Sequence, residues 1–364
     1  MGEGQRPPPP AAGLLGPPPQ LAVLQPMQKL MRDTRGLAPR EGSLEEPTKV
    51  WTEQERFRDQ VVDALVVILK TRGCTWALQG GCTFCGYVND SMVRKVTGDH
   101  MLAQMRTALA RDYRGQRVVK VYTSGSFLDD TEVPREAQPA LLNLLPATVE
   151  KVTLEAQSHH ATRAKVEALR GAVRPEVELE VAFGLESAHE PVLAYSVNKD
   201  DRFEDFVAAC GFARDAGVRT KAYLMLKPPY LTEREALDDA VATALKAAPH
   251  SDLLSINPCN VQNRTVVEWL WKRGLYRSPW LWSVAEALQR VAAGTSTPVR
   301  SNPVGAGQQR GAHNCGACDA AVEEAIAQFS LRRDASLLPG AACACQEEWR
   351  DILELEGFLQ GSQP

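Results

Sequence analysis

The chain has 364 residues, 44% of them hydrophobic, enough for one large α/β domain with appendages. Its formal net charge of -4 excludes a globally basic nucleic-acid binder and leaves room for a local basic patch. No apolar stretch reaches the length of a signal peptide or a membrane span, and most of the nine cysteines fall in short clusters. That pattern reads as metal ligation in a reducing compartment, so the expected location is cytoplasmic, with no membrane contact.

Residues 1–48 hold ten prolines and few β-branched or aromatic residues. Such a segment buries too little apolar surface to offset its ordering entropy, and a disordered Pro-rich tail is expected. From Trp51 the texture changes to short apolar runs, at Ala64–Leu69, Val118–Tyr122, Val149–Leu154, Val177–Leu185, Val218–Leu226 and Leu253–Ile256. Between them lie amphipathic windows at Met101–Tyr113, Arg135–Leu145, Ala161–Leu169, Arg202–Ala216 and Glu233–Ala248. Strand-like runs alternating with helices predict parallel βαβ units. Six units in roughly 200 residues suit an open, partial (β/α)6 TIM-like barrel over residues 49–295, although a flat doubly wound sheet would show the same alternation.

Residues 261–310 carry Arg264, Lys272, Arg273, Arg277, Arg290, Arg300 and Arg310 against Glu268 and Glu286, with Trp269, Trp271, Trp280 and Trp282 interleaved. Cations for phosphates and rings for unpaired bases would make an RNA contact surface. Core packing is the commoner fate of tryptophan, so structural tryptophans with some arginines on an RNA path are expected. Residues 296–364 form a Cys-rich metal-binding extension: Cys315, Cys318, Cys343 and Cys345 make two knuckle-like pairs. They read as a tetrahedral zinc site or a second iron–sulfur cluster, with His313 able to replace one cysteine. Cys210 and Cys259 have no ligand neighbours and read as packing residues.

The chemistry concentrates after the first run, in Gly73-Cys74-Thr-Trp-Ala-Leu-Gln-Gly-Gly-Cys82-Thr-Phe84-Cys85-Gly-Tyr87. Glycines let a loop wrap a bulky object, and three thiolates suit a [4Fe–4S] cluster with one iron left open. A zinc loop borrowing a distant ligand is the bland alternative, but the nearest histidine is His100. This loop resembles the radical S-adenosylmethionine (SAM) signature with a lengthened first spacing. Together with Tyr122–Asp129, Gly184–Ser187, Lys221–Pro229, Ile256–Gln262 and Pro303–Cys318, it resembles the archaeosine-synthase radical SAM subunit over about Trp51 to Asp334.

The resemblance implies reductive cleavage of SAM to a 5′-deoxyadenosyl radical. It implies a tRNA substrate with a lysine-derived side chain on 7-deazaguanine, cleaved at a C–N bond to give archaeosine. A separate lysine-transferring synthase subunit and a reductant such as ferredoxin or flavodoxin are implied partners. Ser124, Gly125 and Ser126 would bind the cofactor's amino group, Glu186 its ribose, and Tyr87 its adenine through backbone. The arginine that relatives place after the strand-three glutamate is missing from Glu155-Ala-Gln157-Ser-His159-His160. Gln157, or a lysine such as Lys221, is the substitute expected for the carboxylate. The catalytic residue is unknown. Other radical SAM substrates and a non-catalytic, zinc-stabilised RNA-binding scaffold remain as alternatives.

Overall fold

The computed structural model describes residues 21–35, 42–92, 95–338 and 342–360. Among them, eight strands make one sheet whose spatial order is the sequence order. Strand β1 (Lys49–Phe57) turns at Arg58–Asp59 into antiparallel β2 (Gln60–Ile68). Strands β3 (Val118–Tyr122), β4 (Lys151–Ala156), β5 (Glu178–Glu186), β6 (Arg219–Leu226), β7 (Leu253–Pro258) and β8 (Val299–Arg300) then follow, each parallel to the one before. Crossovers that always step one place in the same direction curl the sheet, because each βαβ unit is right-handed and the sheet twists.

The curl is visible in charge contacts. Glu55 lies on β1 and Arg300 on β8, opposite ends of the sheet order, yet Arg300 Nη1 meets Glu55 Oε2 at 2.6 Å. Only a sheet closed most of the way round brings those edges together. The architecture is therefore the expected open α/β barrel rather than a flat sheet. All six predicted strands are present, and β1 and β8 are additions at the two edges. Polar residues interleaved through Lys49–Phe57 hide β1 from an apolar-run search, and β8 is only two residues long. It lies beyond residue 295, so the sheet itself enters the stretch expected as the tail extension.

The connecting helices include α2 (Thr75–Gln79) and α3 (Gly98–Asp112), then α4 (Ala137–Leu142), α5 (Arg163–Ala172), α6 (Phe203–Asp215) and α7 (Glu233–Ala247). Helices α8 (Val266–Trp271) and α9 (Leu281–Gly294) complete the layer outside the sheet. The main core is their aliphatic face against strand residues such as Val119, Val152, Val181, Leu224 and Leu254. After β8, α10 (Asp319–Arg332) and α11 (Cys345–Gln360) fold back onto the barrel. Arg56 of β1 donates to the Leu331 carbonyl, and Arg234 of α7 to that of Leu353.

One expectation needs correcting at the N-terminus. The stretch read as a disordered tail contains helix α1 (Leu21–Arg35), while residues 1–20 lie outside the described residues. Met27, Leu30 and Met31 recur at helical spacing and pack with Phe84, Val266 and Trp271. Ten prolines in the segment as a whole mask this short amphipathic window.

Candidate active site and metal centre

Because β2 to β8 are parallel, every loop that follows a strand opens at the same end of the barrel. The three-cysteine loop follows β2 there. Its glycines Gly73, Gly80 and Gly81 adopt φ of +102°, +143° and +76°, and α2 forms between Cys74 and Cys82. The loop is held from several directions. Thr83 donates through N and Oγ1 to Val197 and Ser196 carbonyls (2.9 and 2.6 Å) in the helical turn after β5. Asn198 Nδ2 donates to the Gly81 carbonyl at 2.7 Å, and Gly86 N donates to Gln262 Oε1 at 2.6 Å.

Burial raises all three thiols, Cys85 to about 11; Cys74 and Cys85 further oppose ionisation of Cys82, and Cys74 that of Cys85. Cys74 is buried and Cys82 and Cys85 are half-buried, and three thiols that resist ionising fit a cationic metal core, which would take them as thiolates. The donor set therefore fits a three-cysteine cluster site.

The loop after β3 is shaped by a residue outside the expected set. Glu132 accepts from the backbone N–H groups of Ser124, Gly125 and Ser126 (3.1, 3.1 and 2.7 Å) and from Thr71 Oγ1 at 2.7 Å. Its burial outweighs these bonds and raises its carboxyl to about 7. Those N–H groups are thus spoken for, leaving the carbonyls and the Ser124 hydroxyl as acceptors for an ammonium. Gly125 packs directly on the cluster loop, where a Cβ would stand 2.7 Å from Cys74 Cβ and 2.8 Å from its Cα. Ser126 is buried, its hydroxyl accepting from Gln157 N at 3.1 Å.

Glu186 closes β5 at a register shift, with φ of +64°. A non-glycine residue in the left-handed region costs backbone energy, and such strain concentrates at functional positions. Lys199 Nζ lies 3.3 Å from Glu186 Oε1 and donates to the Gly184 carbonyl at 2.5 Å. It is also the cation that acts most on Cys82. Glu155, at the end of β4, is raised to about 7 by burial and then by Glu186. Tyr87 is half exposed at the start of a helical turn, beside the Gly86–Gln262 contact.

Two expectations shift here. Gln157 Nε2 reaches Cys74 Sγ at 3.4 Å and so lies against the three-cysteine loop itself. Lys221 is engaged deeper in the barrel, its Nζ 2.8 Å from Glu180 Oε1, away from the three-cysteine loop. The rings of His159 and His160 lie 4.1 Å apart, tilted by 47°, and meet Asp201 (2.5 Å) and Asp129 (3.6 Å) respectively. The residues that sequence reasoning missed are Arg35, Glu132 and Lys199. None has a local signature, because each is recruited from another element.

The tail cysteines form a second centre. Cys315, Cys318, Cys343 and Cys345 bring their Sγ atoms within 4.8 Å of one another, a group able to hold a metal ion. Sulfurs at a zinc distance of about 2.3 Å in a tetrahedron lie about 3.8 Å apart. The observed contacts are 4.0 Å for Cys315–Cys318, 3.7 Å for Cys315–Cys343 and 3.7 Å for Cys318–Cys345. A four-iron cube, with one thiolate on each corner, holds its sulfurs much farther apart. The donor spacing therefore fits a single tetrahedral ion. His313 stays outside the group, with Nδ1 2.8 Å from the Gly311 carbonyl. Trp282 Nε1 and Asn314 Nδ2 donate to Cys345 and Cys318 sulfurs at 3.3 Å each. Cys210 and Cys259 are buried and raised to about 12 by that burial, as packing residues are.

In the basic stretch, Trp280 and Trp282 belong to the main core and Trp269 and Trp271 pack half-buried on α1. Arg273 covers the Trp269 ring at 3.9 Å and Arg310 the Trp271 ring at 4.7 Å. No helix among the described residues is long and apolar enough to cross a membrane.

No protein-family model matches the chain. It is 41% identical over 321 residues to archaeosine synthase subunit beta of Methanosarcina acetivorans, covering 87% of this chain and 92% of that protein. It is 35% identical over 313 residues to archaeosine synthase subunit beta of Thermococcus kodakarensis, covering 84% and 96%. Among solved structures, methylornithine synthase aligns over 90% of this chain and 91% of its own at 11% identity, TM-score 0.46. A radical SAM methyltransferase from Sphaerobacter thermophilus aligns over 74% and 78% at 13% identity, TM-score 0.44.

Proposed function

We propose that this chain, which belongs to the archaeosine synthase subunit beta family, is a radical SAM enzyme that completes a modified tRNA base. The observation that carries the proposal is the gathering of Cys74, Cys82 and Cys85, all raised by burial, at the loop end of a parallel barrel. These residues would hold a [4Fe–4S] cluster with one iron left open. When bound, cluster and SAM supply one-electron reductive cleavage of the sulfonium and, from it, hydrogen abstraction from the substrate.

The protein's own part is to bind, orient and keep water out. Carbonyls of the Ser124–Ser126 loop, oriented by Glu132, would take the cofactor's amino group. Glu186 would take the ribose hydroxyls, and the Tyr87 backbone the adenine. Lys199, in place of Gln157 or Lys221, would be the counterion of the methionine carboxylate, because its charge already stands between Glu186 and Cys82.

Family membership supports the substrate: a tRNA with a lysine-derived side chain on 7-deazaguanine, cleaved at a C–N bond to leave archaeosine. The relatives are named as subunits, which supports a partner subunit that attaches the lysine beforehand. Ferredoxin or flavodoxin would deliver the electron. Arg273 and Arg310, stacked on half-buried tryptophans near the Gln262 loop, would lie along the RNA path. The four tail thiols would hold zinc.

The test is anaerobic purification and reduction with lysine-adduct tRNA present, counting metals and products. About four irons and one zinc per chain are expected, with 5′-deoxyadenosine and archaeosine formed. Cys82→Ala should lose the iron and keep the zinc. Zinc alone, with no 5′-deoxyadenosine, would leave an RNA-binding scaffold; 5′-deoxyadenosine without archaeosine would discard only the substrate.

A further inference from the structure

Helix α1 delivers one side chain into the three-cysteine loop. Arg35 is 5% exposed, and its guanidinium donates to the carbonyls of Ala77 (2.8 Å), Gly80, Cys82 (3.0 Å) and Cys85 (3.1 Å). The loop is built around it. Gly81 sits at φ +76°, and a Cβ there would lie 2.8 Å from Arg35 Nη2 and closer still to Nη1. The same helix donates from Arg32 to the Gln79 carbonyl at 3.2 Å, and its Met31 sulfur accepts from Asn198.

What Arg35 lacks among the described residues is an anion. Its acceptors there are neutral carbonyls, no carboxylate pairs with it, and its Nε is buried without a partner. A buried guanidinium left uncompensated is unfavourable. Its field already favours the Cys85 thiolate. An iron–sulfur cluster on three thiolates is net anionic, and gains another negative charge on reduction.

We infer that Arg35 is the built-in counterion of the cluster, a positioning residue that clamps the loop by its carbonyls and eases one-electron reduction by its charge. The inference rests on the cluster proposed above. It makes α1, from the Pro-rich end of the chain, part of the redox site. The net charge around a cluster and the hydrogen bonds near it are the usual determinants of its potential.

The test is an EPR-monitored redox titration of the full chain as wild type, R35Q and R35K, with iron counted on each. At a fixed potential, R35Q should show a reduced-to-oxidised ratio at least tenfold lower. For a one-electron couple, that is a midpoint about 59 mV more negative. R35K, which keeps the charge but not the fork, should hold the midpoint near wild type while binding less iron. If R35Q loads no cluster, recovery of loading in R35K supports the counterion, and failure of both variants to load assigns Arg35 to shape alone. An unchanged midpoint in R35Q overturns the inference. A wild type without iron instead overturns the cluster proposal itself.

Discussion

Glu155 ends β4 under the cluster loop, and none of the influences on its carboxyl is a hydrogen bond. Burial and then the neighbouring Glu186 raise it to about 7, against 4.5 in the unfolded chain. The folded state therefore holds the proton more tightly than the unfolded one. The sign follows by linkage: this carboxyl's contribution is intact below pH 4.5 and is lost as pH rises through about 7. Glu155→Gln removes the ionisation. The variant's Tm should match wild type near pH 5 and exceed it near pH 8, by a margin that closes again on acidification. A margin that does not change between those pH values would sink the idea. Proteins keep such unfavourable groups where a ligand is to meet them, as the strained φ of Glu186 next door also suggests.

Single side chains tie the outlying elements to the barrel. The tail is one case: Cys318 caps the start of α10 and α11 begins at Cys345, so two helices start on ligands of one candidate ion. The Trp282 indole and the Asn314 amide extend that centre into α9 and the loop before α10. Metal affinity at such a centre is folding free energy for the segment it staples. Cys318→Ser is expected to lose zinc and lower Tm on the order of 10 °C. Amide exchange should quicken in α10 and α11 while β3 to β7 keep their protection. Uniform loss of protection across the sheet would show that the tail is not a separate staple. The sequence announces this element well, since both cysteine pairs stand close together in the chain. Helix α1 is the opposite case, its Met27, Leu30 and Met31 stripe being lost among prolines.

Across the whole molecule, the barrel interior is charged where an aliphatic core is the norm. Lys120 meets Glu53 at 2.7 Å and also Glu55; Lys151 and Lys221 each meet Glu180 at 2.8 Å; Arg300 closes the ring to Glu55. Burial works against ionising Glu180, but Lys151 and Lys221 outweigh it and hold its carboxyl below the usual range. Its contribution is thus present at pH 7 and is lost as pH falls below 4.5. Glu180→Gln strands two buried ammonium groups. It should destabilise the fold by about 4 kcal/mol in urea at pH 7. A loss under about 1 kcal/mol, the usual worth of an exposed ion pair, would mean that the interior is wet.

The sequence by itself determined the alternating parallel strands and the two cysteine groupings, while the Arg300–Glu55 contact across the sheet edges decided for a barrel over a flat sheet. Apolar runs at Val118–Tyr122 and Val177–Leu185 mark parallel strands because both faces of such strands are covered, and the cysteine spacings are local. The tail's donor geometry, and so its preference for a single ion, became legible only when the sulfurs were seen 3.7 to 4.0 Å apart. Tertiary structure also decided that Lys221 belongs to the interior ring and that Lys199 sits beside Glu186 at the loop end. Within the runs Val118-Val-Lys120-Val-Tyr122 and Arg219-Thr-Lys221-Ala-Tyr223, nothing local says where an ammonium finds its carboxylate. Arg35 meets Cys82 and Cys85 across 47 and 50 residues of chain. Such contacts depend on how loops from separate strands converge at one end of a curled sheet, and no spacing in the sequence encodes that.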